Sequence, residues 1–117
     1  MKYASEVDHG VRVIRVEGHW TGGHDDDALR EAFKEWVRQG ERLFVMDLSR
    51  VDLLNSVGLG ALVAYYTTLA RETGRIKLTG MSERHRRAAY VTRILDLFDD
   101  YAHVDEAVAA YRKEGLI

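Results

Sequence analysis

The chain contains neither cysteine nor proline. Without cysteine there is no disulfide framework, no thiolate metal site and no cysteine nucleophile, so a hydrophobic core must hold the fold together. With no proline, no low-complexity segment and no repeat, residues 1–117 read as one uninterrupted domain. No apolar run approaches the roughly 20 residues needed to span a bilayer. The opening "MKYASEVDHG" lacks the apolar core of a signal peptide, so the expectation is a soluble cytoplasmic protein. An excess of one charge is also missing: seventeen Lys and Arg face nineteen Asp and Glu, for a formal charge of −2. That balance argues against a general attraction to phosphate backbones. The densest basic cluster, "RHRR" at Arg84–Arg87, would spread around a helix axis and reads as a solvated face rather than a nucleic-acid patch.

What is present suffices for a core. The 46% hydrophobic content is ordinary for a globular protein. A chain of this size buries about two-thirds of its unfolded surface. "KYASEV" and "VRVIRVEG" flank a turn signal at Asp8-His9-Gly10, which predicts an opening β-hairpin. Leu29, Ala32, Phe33, Trp36 and Val37 recur at helical spacing up to a stop near Gly40. "RLFVMDLS" reads as a central strand covered on both faces. From about Ser56 to Thr73 the pattern turns helical, with Leu59, Leu62, Val63, Tyr66, Leu69 and Ala70 on one face, and "RIKLTG" returns to a strand. Ser82 can cap a further helix carrying Ala88, Val91 and Leu95 inward; "YAHVD" suggests a short edge strand, and Asp105 can cap a last helix bearing Ala107, Val108 and Tyr111. The order β-β-α-β-α-β-α-β-α implies an α/β fold, a mixed sheet with a parallel part and helices packed on it.

The chemistry concentrates where "DLSRVDLLNSVGLGAL" passes from strand to helix. Ser56 there has four readings. It can be a helix N-cap, worth about 1 kcal/mol, with Asn55 competing for the same role. A hydrolase nucleophile would need G-x-S-x-G, but Leu54 stands two residues before Ser56 and no histidine is placed as its base. A phosphate-cradling loop could use Gly58 and Gly60 at the helix start, yet neither G-x-x-x-x-G-K-[ST] nor G-x-G-x-x-G is present. The fourth reading is a regulatory phosphoacceptor.

That last reading rests on a resemblance. The segment resembles the signature of the STAS domain of bacterial anti-sigma factor antagonists, in which a strand leads into D-S-[ST]-G-L-G and the serine after the acidic residue is phosphorylated. The resemblance makes Ser56 the phosphoacceptor, puts Val57 in the small-residue position and matches Gly58-Leu59-Gly60 to the start of the next helix. "GRIKLTGMSERHRRAAYVTRILDLFDDYAHVDEAVAAY" is similar to the family's later segment, so the resemblance spans nearly the whole chain. It implies a STAS-like single domain, without cofactor or metal, that binds an anti-sigma factor with serine kinase activity and is switched off by phosphorylation of Ser56. A phosphatase acting on phospho-Ser56 would reset it. Asn55, Val57, Gly58, Leu59 and Gly60 would contact the partner, joined by Trp20, Thr21 and His24 from the loop that borders this surface in the family. Trp20 can equally pack on the first helix, and Leu97 and Phe98 read as core.

Two positions depart from the family pattern: Asn55 replaces the usual aspartate, and "GHWT" at Gly18–Thr21 replaces a glycine-acid-apolar-aspartate motif. Asparagine keeps the hydrogen bonding needed at a turn. Fewer carboxylates would also repel a phosphate less. "HDDD" at His24–Asp27 reads as helix capping and dipole compensation rather than a metal site. Two other functions stay open: a phosphorylation-independent scaffold or transporter-associated subunit of the same fold, and a small nucleotide- or ligand-binding domain using the Gly58/Gly60 helix start.

Overall fold

The computed structural model describes residues 1–117. The chain begins with the expected hairpin, β1 (Lys2–Asp8) and β2 (Val11–Trp20), joined through His9 and Gly10. Both turn residues have positive φ, the geometry that matches the twist of a two-residue hairpin loop. Helix α1 (His24–Arg38), strand β3 (Leu43–Leu54), helix α2 (Ser56–Arg71) and strand β4 (Arg75–Thr79) follow. Helix α3 (Glu83–Val91), a 3₁₀ turn over Ile94–Leu97, β5 (Asp99–Tyr101) and α4 (Val104–Lys113) complete the chain.

The sheet order is β1-β2-β3-β4-β5, antiparallel only between β1 and β2, so the mixed sheet is as anticipated and β3 is its centre. Alternation along β3 sends its side chains to two cores. Phe44, Met46 and Leu48 join the larger core with Ile14, Val16, Leu29, Phe33, Leu62 and Leu69, which lies under α1 and α2. Val45 faces the other way, packing with Val11, Val13, Ala107, Val108 and Tyr111 under α4. Coverage on both faces explains why β3 reads as a nearly unbroken apolar run. On the α4 side Lys77 is buried, its ammonium bonded to Glu114 at 2.8 Å and Asp99 at 3.2 Å, over the Tyr111 ring. Burial alone would lower its pKa, but the bonds to Glu114, Asp99 and Tyr101 outweigh it and raise it.

Several elements differ from the expectation. The inward residues of α3 are His85 and Ala89, whereas Ala88 and Val91 are exposed. The Ser82 oxygen does accept from the His85 N–H. The helix stops at Val91, and Arg93 takes a left-handed φ of 63°, so Leu95 packs on the larger core as inferred but from the 3₁₀ turn, not from α3. Phe98 is core as expected, but Leu97 is exposed. The edge strand lies at Asp99–Tyr101, paired to Lys77–Thr79, earlier than the "YAHVD" reading. Asp105 does not cap α4: His103 holds the cap position without a side-chain bond, and Asp105 falls in the first turn. In α2 it is Tyr65, not Tyr66, that is fully inside, with Ala70 exposed.

His85 is a buried group with a consequence for stability. It is 4% exposed, and neither ring nitrogen has a hydrogen-bond partner. Burial, aided by the neighbouring Arg84 charge, lowers its pKa, and the nearby Asp52 carbonyl, outside hydrogen-bond geometry, opposes this only in part. The unfolded chain therefore binds a proton that the folded chain does not between the ordinary histidine pKa of about 6.5 and the lower folded value. We expect this contribution to be complete above that pKa and lost as pH falls through the window. Urea unfolding at pH 7.5 and 5 should show a smaller acid-side loss in His85→Phe than in the parent chain.

Candidate functional site

Ser56 is the first residue of α2, at the carboxyl end of the central strand. The cap reading splits between neighbours: Asn55, in extended conformation, is the N-cap. Its Oδ1 accepts from the Val57 N–H at 2.9 Å and from the Gly58 N–H at 3.3 Å. An asparagine amide reaches those donors from the cap position, whereas a side chain one residue later is already within the helix and points away from them. Ser56 therefore does not cap. It is exposed, and its hydroxyl makes no hydrogen bond within the chain.

Gly58 is explained by packing rather than by a phosphate cradle. A Cβ there would lie 2.7 Å from the Trp20 carbonyl oxygen and 2.4 Å from a Leu54 methyl. The first turn of α2 thus rests directly on the end of β2. Trp20 is itself 0% exposed, and its Nε1 donates to Asp26 Oδ1 at 3.0 Å. Asp26 is also buried, so the middle acid of "HDDD" ties the indole to α1, while Asp25 and Asp27 are exposed. A residue with no exposed surface cannot touch a partner, so Trp20 is removed from the candidate contacts; the alternative, packing on the first helix, is what the structure has.

The remaining candidates sort by exposure. Thr21, His24, Asn55, Ser56, Val57 and Gly60 are exposed, whereas Gly58 and Leu59 are buried and support the surface from below. The two sides of this surface meet where a Cβ at Gly22 would lie 3.4 Å from Val57 Cγ1, joining the loop before α1 to the start of α2. Leu53, absent from the sequence reading, is exposed at 43%, equal to Val57. Strict alternation would pair Leu53 with buried Val51, but register shifts between β2 and β3 bury Val51 and Leu54 instead. The basic cluster also disperses: Arg84 binds the Asp52 carbonyl, His85 is buried and Arg86 pairs with Asp100.

The electrostatics suit an added negative charge. The first turn of α2 contains no acidic residue, and the cap is a neutral amide, so the positive end of the helix dipole is uncompensated by charge on its own helix.

A family profile for the STAS domain matches residues 2–107. The chain belongs to the STAS domain family. An anti-sigma factor antagonist from Mycobacterium paratuberculosis shares 32% identity with this STAS domain, covering 95% of this chain and 93% of that one at a TM-score of 0.81. A putative anti-sigma factor antagonist from Thermotoga maritima matches at 18% identity, 94% of each chain and a TM-score of 0.81. The Bacillus cell fate determinant SpoIIAA, solved in its phosphorylated form, matches at 22% identity over 92% of this chain and 97% of that one, with a TM-score of 0.74. No curated protein matches the sequence.

The division of roles in this STAS domain is measurable. Asn55→Ala should lose about 1 kcal/mol of stability with the cap, while Ser56→Ala changes it little. Gly58→Ala should cost about 1–3 kcal/mol because helix and strand cannot both keep their positions. Denaturant midpoints of the three variants, compared at equal slope, give these values.

Proposed function

We propose that this STAS domain is a non-enzymatic anti-sigma factor antagonist: it binds an anti-sigma factor with serine kinase activity through the surface around Ser56, and phosphorylation of Ser56 releases it. A phosphatase acting on phospho-Ser56 restores binding. The observation that carries the reading is the Ser56 hydroxyl, exposed and free of any internal hydrogen bond because Asn55 holds the cap. The fold has no need of that oxygen, so a kinase can take it without unfolding the helix.

The switch follows from where the phosphate would sit. A phosphoserine carries about −1.5 to −2 charges, which the helix dipole favours at this end. The free protein should tolerate the modification. In a complex, the same charge lies among Val57, Leu53 and Asn55 and must be desolvated against the partner, which is costly unless a cation meets it. A loss of about 2.7 kcal/mol weakens binding about a hundredfold.

The variants divide accordingly. Calorimetric titration with the cognate anti-sigma kinase should give Ser56→Ala an affinity like that of the unmodified chain, and Ser56→Asp a weaker one by about tenfold or more. Ser56→Asp should melt no lower than the parent, since an acid in the first turn suits the dipole. Equal affinity of both variants, or no phosphate on Ser56 after incubation with kinase and ATP, would sink the switch.

A further inference from the structure

Strand β3 reaches well past its neighbour on one side. Its pairing with β4 ends at Asp47↔Thr79, yet it runs on to Leu54, paired only with β2 and with two register shifts on that side. The segment that delivers Ser56 is therefore held by one strand where the rest of β3 is held by two. Backbone groups on its other edge need partners from elsewhere. At Gly80 the chain leaves β4 with φ +69, so close to β3 that a Cβ would lie 2.6 Å from that of Ser49. It then enters α3 through the Ser82 cap. From the first turn of α3, Arg84 Nη2 donates to the Asp52 carbonyl at 2.7 Å. This is the one side-chain hydrogen bond from α3 to the overhanging part of β3, with the buried His85 ring close to the same carbonyl, and Asp52 lies just before Asn55 and Ser56.

We propose that Arg84 is a positioning residue for Ser56: by holding the Asp52 carbonyl across the edge that β4 leaves open, it fixes the end of β3 and with it the placement of the phosphoacceptor hydroxyl. The inference rests on the phosphoacceptor reading of Ser56. Arg84 touches neither the hydroxyl nor any transferred group; it acts through the strand. Its neighbour Arg87 is the natural comparison, since it is exposed on the same helix and makes no hydrogen bond or ion pair. Lysine at position 84 could still donate to a carbonyl, though as a single mobile donor instead of a planar fork.

The test measures phosphate transfer from ATP to the full chain, using the host's candidate anti-sigma serine kinases one at a time. Amide hydrogen exchange of residues 50–58 is followed in parallel on the unmodified chain. In Arg84→Ala, kcat should fall about tenfold with KM little changed, because the docking surface persists while the reacting atom is less well placed. Exchange should accelerate at Leu53–Ser56 but not in β4. Arg84→Lys should recover part of the loss, and Arg87→Ala should behave like the parent. Transfer to Arg84→Ala at the parental kcat, or equal losses in Arg84→Ala and Arg87→Ala, would overturn the positioning role alone. A change confined to KM would overturn it too, making Arg84 a docking contact. If no kinase phosphorylates Ser56 in the parent chain, the phosphoacceptor reading fails and this inference falls with it.

Discussion

The close approach of Gly58 to the Trp20 carbonyl is the constraint on which the site depends. It places the first turn of α2 against the end of β2 too closely for a Cβ, with a Leu54 methyl packed at the same point. Trp20 cannot yield, because its indole is buried and bonded to Asp26, and Asp26 is fixed by the first turn of α1. Three elements thus converge on one backbone contact. Ser56 sits on the outward side of that contact, and its exposure follows from what is packed beneath it.

Within four residues, three tasks are divided among three residues. Asn55 satisfies the orphan N–H groups, Gly58 permits the approach, and Ser56 is left with an oxygen that nothing in the fold uses. A serine that capped its own helix would lose that bond to any modification. Here the cap is independent of the hydroxyl, so structure and regulation need not compete for one atom. The absence of a carboxylate from the first turn removes a source of repulsion that would oppose a phosphate.

The opposite face of the sheet is fastened by its own polar contacts. On the α4 face, Tyr111 donates to the Phe44 carbonyl at 2.8 Å and Lys77 joins β4, β5 and the end of α4 through its bonds to Asp99 and Glu114. The centre of β3 is therefore paired on both edges and covered on both faces, whereas its last residues pair with β2 alone, anchored by Val51 and Leu54 in the larger core and by the bond from Arg84 to the Asp52 carbonyl.

The order of the elements, the central place of β3 and the passage from strand to helix at Asn55-Ser56 were legible because they rest on local signals: apolar periodicity, turn residues and a short motif. The motif also led to the right family. Where the reading went astray, the deciding signal was remote. Trp20 lies at the end of a strand beside glycines and looks like an exposed loop aromatic until Asp26 is seen to turn inward to it. His85 hides in a run of arginines, and the Ala88, Val91 and Leu95 spacing makes one helical face only if α3 continues past the left-handed Arg93. The cap at Asn55 rather than Ser56 hangs on a one-residue boundary that composition does not resolve. By itself, then, the sequence determined the α/β order, the family and the serine at the joint, because periodicity and motif spacing are properties of neighbours along the chain. Only the tertiary structure decided that Gly58 is a packing glycine, that Trp20 is core and that the Ser56 hydroxyl is free, because each depends on atoms distant in sequence meeting within a few ångströms.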